Sequence, residues 1–292
     1  MSLRLEMLQV ARLGPGMLGP AADLVASFVR SQQNPDGGFR DRSGRSDLYY
    51  TSFGVDALMA LRLEVPESLE DYLHPHDPAK LDFVHAACLA RLFSAIPGKF
   101  GQSAIGAALG RLENFRSPDG GYNQQPGAAA GSSYACFLAY GAYADHGRQP
   151  PHPGGIADCL RSLCQPDGGW ANDSSFPVSN VPATAAAVAI CKNLRLPIPA
   201  STSNFLLSAF HPPSGGFVPF PGGPLPDLLN TAVALHALDG LQTDFSVIKD
   251  LCLDFVDTLW TADGGFHGHW DDDILDLEYT YYGLLALGHL AL

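Results

Sequence analysis

Apolar residues recur at helical spacing along nearly the whole chain, in pairs of runs separated by short polar stretches. The first run of each pair is amphipathic, as in AADLVASFVRSQQ (21–33) and FSVIKDLCLDFVDTLW (245–260). The second is apolar on nearly every side: DLYYTSFGVDALMALRL (47–63), SSYACFLAYGAYA (132–144), NVPATAAAVAICKNL (180–194), DLLNTAVALHAL (227–238) and DLEYTYYGLLALGHL (276–290). A helix apolar all round belongs in an interior, and one with a single apolar face belongs around it. The second helices are also rich in Ala, Gly, Ser and Thr, especially over 183–189 and 132–141, and small residues permit close packing. Period-two alternation is nowhere sustained, so strands are not expected.

The polar stretches repeat. NPDGGF ends at Phe39, SPDGGY at Tyr122, QPDGGW at Trp170, PPSGGF at Phe217 and TADGGF at Phe266, at spacings of 83, 48, 47 and 49 residues. The first gap is nearly double the others, and the stretch from Pro66 to Pro97 supplies a further unit whose turn has diverged. Paired glycines suit a chain reversal that needs positive φ or close backbone approach, and the aromatic that follows can plug the gap between helices. Six helical hairpins therefore fill one domain, 1–292. The fold class is all-α, with inner and outer helices closing as an α/α toroid; an open superhelix is the alternative.

Composition narrows the function. A 46% hydrophobic share against 16% charged residues implies extensive burial, with room for an apolar cavity. Seventeen basic against 30 acidic residues give a net charge of −13, which repels phosphate backbones, so nucleic acid is not an expected partner. The six cysteines form no C-x-x-C pair and read as reduced core thiols. No apolar run reaches membrane-spanning length and the N-terminus lacks a signal-peptide pattern, so a cytoplasmic location is expected. No G-x-S-x-G, P-loop or H-E-x-x-H sequence appears.

The recurring QPDGGW-type turn before an inner helix resembles the prenyltransferase and squalene oxidase repeat. That superfamily contains the β subunits of protein farnesyl- and geranylgeranyltransferases and the class II terpene cyclases. The resemblance covers about nine-tenths of the chain and implies an α/α toroid that handles isoprenoids. GGFRDRSGRSDLYYTSFG resembles the transferase loop in which basic residues precede an Asp at an inner-helix start, and Asp-Leu-x-x-Thr recurs at Asp227 and Asp276. Transferase zinc is held by an Asp-x-Cys entry and a His three residues after the Asp of the next unit. Those positions here hold Asp227, Leu229 and Tyr279, so two of three ligands are missing and a conventional zinc enzyme is not expected. The cyclase Asp-x-Asp-Asp sequence is also absent. The acidic run HWDDDILDLE (269–278) matches Asp-Asp-x-x-Asp, the magnesium motif of class I isoprenoid enzymes, but lies in a loop entering a helix.

Asp47, Asp227 and Asp276 stand where inner helices begin, which suits N-capping and equally a ring of carboxylates at one mouth of a toroid. Arg42 and Arg45, in a cluster with Arg40, are the candidate clamps for a diphosphate, although Asp41 and Asp47 offer them surface partners. Tyr49, Tyr50, Tyr134 and Tyr282 belong to an aromatic set that either packs a core or shelters an isoprenoid and its cations. Asp227, Asp276 and Tyr279 are the candidate catalytic groups. His267 and His269, beside the acidic run, offer an improvised metal site with Asp271 or Asp273. The leading expectation is an isoprenoid-handling protein, related to transferases and cyclases, that takes an isoprenoid or other apolar small molecule and works without zinc. Mg²⁺ would enter only with a diphosphate. The alternatives are a non-catalytic module gripping a peptide or protein partner, and a carbohydrate-active enzyme using Asp227 with Asp276 as paired carboxylates.

Overall fold

The computed structural model describes residues 2–292. After α1 (Leu3–Ala11) and α2 (Gly14–Leu18), twelve helices follow as six successive pairs. They are α3 (Ala22–Ser31) with α4 (Leu48–Ala60), α5 (Ser68–Leu73) with α6 (Phe83–Ala95), and α7 (Gln102–Glu113) with α8 (Ser133–Asp145). The remaining pairs are α9 (Pro153–Leu163) with α10 (Val181–Leu194), α11 (Thr202–Ser208) with α12 (Leu228–Gly240), and α13 (Lys249–Thr258) with α14 (Leu277–Leu290). The expected extra hairpin between the first two Gly-Gly turns is therefore present. Its helices are joined without a Gly-Gly turn, and Asp82 caps α6 by accepting from His85 N–H at 2.9 Å. One two-stranded antiparallel ribbon, β1 (Trp170–Ala171) with β2 (Ser179–Asn180), interrupts the helical pattern.

Burial separates the two kinds of helix as the pattern predicts. α3 buries one stripe, Val25, Ala26, Phe28 and Val29, whereas α4 and α10 bury ten residues each, of 13 and 14. The Asp of the turn explains why the motif repeats. Asp36 Oδ1 accepts from Gly38 N–H at 3.0 Å and from Ser46 Oγ at 2.7 Å, and Asp167 does the same with Gly169 and Ser179 at 2.9 and 2.7 Å. The aromatic that follows then donates its backbone N–H to a threonine one turn into the inner helix. Phe39 uses Thr51 (2.9 Å), Trp170 uses Thr184 (2.9 Å), Phe217 uses Thr231 (3.0 Å) and Phe266 uses Thr280 (3.3 Å). These bonds occupy backbone donors that burial would otherwise orphan. The rings of Phe39, Trp170, Phe217 and Phe266 are buried, as is that of Tyr122, whose inner helix carries Cys136 in place of the threonine. On the inner helices Gly54 and Gly283 leave room for the rings of Phe39 and Phe266, each of which lies under 3.0 Å from where a Cβ would stand.

The first glycine of the turn fixes how successive hairpins stack. Gly37 has φ +93°, and a Cβ there would stand 2.0 Å from the carbonyl oxygen of Ser68, on the outer helix of the next hairpin. Gly264 in the last hairpin, at φ +89°, makes the corresponding approach to α3 of the first, where a Cβ would stand 2.2 Å from Leu24 O. The sixth hairpin thus packs on the first as earlier ones pack on their successors. Gly264→Ala adds a left-handed backbone penalty to a clash with main chain, and should lower stability by about 2 kcal/mol or more. Urea unfolding at neutral pH checks this, with Gly222→Ala, also at positive φ but in open space, as the milder control.

The chain forms two compact units. A terminal unit comprises residues 6–72 and 206–292, and a middle unit comprises 73–205 with the first few residues of α1. In the terminal unit α14 lies between α4 and α12 and also touches α2 and α13. In the middle unit α8 lies between α6 and α10, with α7 against α6. Among the described residues no helix is long and apolar enough to cross a membrane.

Candidate functional site

Within the terminal unit, α4, α12 and α14 begin with Asp47, Asp227 and Asp276. Each carboxylate caps its own helix: Asp47 Oδ1 accepts from Tyr49 and Tyr50 N–H (2.8 and 3.1 Å), Asp227 Oδ1 from Asn230 N–H (2.7 Å) and Asp276 Oδ1 from Tyr279 N–H (2.9 Å). Capping engages one oxygen of each carboxylate. On Asp276 the second oxygen meets Arg42 Nε at 2.7 Å, while Arg42 Nη1 reaches Asp272 Oδ2 at 2.9 Å. Asp276 is 5% exposed and Arg42 34%, so the pair is only partly screened by solvent. The guanidinium also sits 5.7 Å from the centre of the Tyr279 ring. On Asp227 the second oxygen is bonded by the side-chain amide of Asn230.

Beside this ion pair, Tyr49 O–H donates to Glu278 Oε1 at 2.7 Å. Glu278 lies on α14, two residues past its cap. Burial pushes its carboxyl up to about 7; the Tyr49 bond opposes the shift, while the charge of Asp276 and, more weakly, that of Asp227 reinforces it. Burial likewise raises the Asp227 carboxyl against its bonds to Asn230. It raises the Asp276 carboxyl too, against the Tyr279 N–H and Arg42. Asp272 is held below the usual carboxylate range: burial opposes this, but the Ile274 N–H and Arg42 prevail. The Tyr50 phenol is pushed up to about 12 by burial and by the charges of Asp276 and Glu278. The site therefore concentrates negative charge around one engaged cation, beside a carboxyl whose proton affinity burial raises.

Aromatic rings adjoin the carboxylates. Tyr49 contacts Tyr50 and Phe53 at 5.7 and 5.0 Å between ring centres, and Phe53 contacts Tyr281 and Tyr282 at 5.8 and 5.6 Å. Tyr281 is buried and Tyr282 half-buried. Of the residues singled out from sequence, Arg42, Asp47, Tyr49, Tyr50, Asp227, Asp276, Tyr279 and Tyr282 all belong to this unit. Arg45 does not join the ion pair: its exposed side chain lies 3.7 Å from Asp41 and bonds Ser43 Oγ at 2.9 Å within its own loop. Tyr134 belongs to the middle unit, at the start of α8, where its N–H donates to Asn172 Oδ1. His267 and His269 each engage Nδ1 locally, with the carbonyl of His269 and the N–H of Asp271 respectively. Among the described residues no group of three or more His, Cys, Asp and Glu side chains is arranged to hold a metal ion.

Glu278 was not among the residues the sequence pattern singles out, and Asp272 entered only as the first carboxylate of the Asp-Asp-x-x-Asp match. A signal for Glu278 existed: it is the one charged side chain two residues past the cap among inner helices that carry Tyr49, Tyr134, Pro182 and Leu229 at that place. Nothing in the sequence pairs Asp272 with Arg42, because that partner lies at the other end of the chain.

A tandem of helical hairpins whose buried second helices follow Gly-Gly-aromatic turns defines the class as an all-helical hairpin-repeat fold. The chain belongs to the prenyltransferase alpha-alpha toroid domain family, whose model matches residues 18–85 and 198–291, more than half its length. Similar solved structures agree on the fold. The type II terpene cyclase MstE from Scytonema, in complex with geranylgeranyl dihydroxybenzoate as substrate, is 13% identical, with a TM-score of 0.61 over 95% of this chain and 97% of that one. A protein from Actinoplanes is 17% identical, with a TM-score of 0.63 over 94% and 99%. Protein geranylgeranyltransferase-I from Candida albicans, complexed with GGPP, is 16% identical, with a TM-score of 0.53 over 99% and 83%. No curated protein matches the sequence.

Proposed function

We propose that this protein handles isoprenoids, holding the hydrocarbon against Tyr49, Tyr50, Phe53 and Tyr282 and presenting Glu278 to it as an acid. The observation that carries this reading is the Tyr49–Glu278 pair, a carboxyl of raised proton affinity set against aromatic rings. Tyr49 occupies one carboxyl oxygen, which leaves the proton on the other free to leave. Transfer to a carbon–carbon double bond forms a C–H bond and a carbocation, and later loss of a proton from the product restores the acid. Ring faces and the charge of Asp227 favour the cation as it develops. Arg42, held by Asp276 and resting on Tyr279, fixes the entry to α14 beside the acid. The fold it shares with proteins that take geranylgeranyl groups supports the class of ligand.

Zinc has no part in this reading. The three positions that hold it in the transferases supply one carboxylate, a leucine and a phenol, and both carboxylate oxygens of Asp227 are bonded to Asn230. Such a donor set does not fit zinc. Where the ligand carries a diphosphate, Arg42 and Arg45 are the cations to receive it, with Mg²⁺ arriving alongside. It would have to draw Arg42 from Asp272 and enter a field of carboxylates, so a neutral isoprenoid suits the site better. A second reading, a grip on a basic protein partner, draws on Trp270 (46% exposed) and Ile274 (48%) flanking the acidic run.

Fluorescence titration with farnesol and with farnesyl diphosphate tests the proposal. Farnesol is expected to bind in the micromolar range, and Phe53→Ala to weaken it about tenfold. Failure of both ligands to bind at millimolar concentration would end the isoprenoid reading and leave the partner reading standing.

A further inference from the structure

One crevice recurs in the repeat with different contents. In the middle unit it has a volume of about 350 Å³ and lies between α9, α10 and the segment Leu196–Pro199. In the terminal unit a crevice between α13, α14 and the stretch carrying Met17, Leu18 and Ala21 has about 130 Å³. The aligned turn threonines, Thr184 and Thr280, set the correspondence. Cys164 then answers to Trp260, Trp170 to Phe266, Cys191 to Leu287 and Arg161 to Asp257, and all eight line their respective crevices. Two small thiols thus stand where a tryptophan and a leucine narrow the other crevice.

The larger crevice is also stiff. α10 ends with Arg195 in the left-handed region (φ +56°), and Leu196 N–H bonds back to Cys191 O at 2.8 Å. The chain then returns as Leu-Pro-Ile-Pro, whose two prolines fix their own φ, so the wall cannot collapse inward to fill the space. Interiors keep few voids larger than a water molecule, and a pre-formed apolar space of this size falls within the range of small-ligand sites. Its lining is apolar apart from the thiols and one cation. Arg161 pairs with Asp158, and their side chains are 71% and 67% exposed. An exposed ion pair of that kind is weak, and its guanidinium can turn to another anion. The corresponding residue in the narrow crevice has the opposite charge.

We propose that this crevice binds an aliphatic chain ending in a carboxylate, with the chain on Trp170 between Cys164 and Cys191 and the carboxylate on Arg161. The site is independent of the acid-and-aromatic cluster and of the isoprenoid reading.

The thiols provide the test. Cys164 is half-buried and the other five cysteines are buried, so a thiol-specific disulfide reagent should react with Cys164 first. Octanoate below its micelle concentration is expected to slow that reaction at least fivefold, and octanol to do so much less. Arg161→Asp, which copies the narrow crevice at an exposed position, should abolish the preference for octanoate. Cys191→Leu should abolish protection by both while leaving Cys164 reactive. Unchanged Cys164 reactivity in millimolar octanoate overturns the site, and equal protection by octanoate and octanol overturns the assignment of its head group to Arg161.

Discussion

Glu278→Gln is expected to flatten the dependence of stability on pH and to remove the activity proposed above. The folded carboxyl titrates at about 7 and an unperturbed glutamate at 4.5. Between those values the folded chain keeps a proton that the unfolded chain has lost, so stability falls as pH rises from about 4.5 to about 7. The full shift corresponds to about 3 kcal/mol, and partial solvent access reduces it to about 2 kcal/mol. Glutamine keeps the acceptor for Tyr49 and never ionises. The variant should therefore match the wild type near pH 4 and exceed it by about 2 kcal/mol at pH 8. Turnover of an isoprenoid, once a substrate is in hand, should drop about a hundredfold or more, the usual scale of a general acid. Coincident urea curves for the two proteins at pH 8 would show that Glu278 is not held protonated by its surroundings.

Removing the cation should have the opposite sign. Arg42→Ala leaves Asp276 buried at 5% exposure without its partner, and frees Asp272 on the acidic loop. Stranding one member of a buried pair costs about 3–5 kcal/mol, and the one-third exposure of Arg42 lowers the expectation to about 2–3 kcal/mol at pH 8. Without Arg42 the Asp276 carboxyl moves further above its ordinary value. The penalty is therefore full at neutral pH and fades as pH drops and Asp276 takes up a proton in both states. Hydrogen exchange should quicken over 271–276, where Arg42 is the tie to the first hairpin. A change below about 0.5 kcal/mol at pH 8 would mean that the ion pair is decorative.

The sequence displayed more of the fold than of the site. The turns, the buried character of the second helices and the diverged second hairpin were all legible, because each follows from bonds between neighbours in the chain. Asp227 and Asp276 were readable as caps for the same reason: each bonds a backbone N–H three residues ahead. The cluster of Arg42 and Arg45, by contrast, looked like two equal clamps. The structure separates them, since Arg45 stays on its own loop while Arg42 reaches Asp276, 234 residues away. Charge alone could not reveal that difference.

What the sequence alone determined is a tandem of capped helical hairpins, because an Asp-Gly-Gly-aromatic turn and a threonine one turn into the next helix satisfy one another locally. What only the tertiary structure decided is the chemistry at the ends of α4, α12 and α14. Tyr49 and Glu278 are 229 residues apart, and nothing in either segment announces the other. Packing of the last hairpin on the first brings them together and removes water from the carboxyl, and proton affinity depends on that surrounding medium rather than on the residue's name.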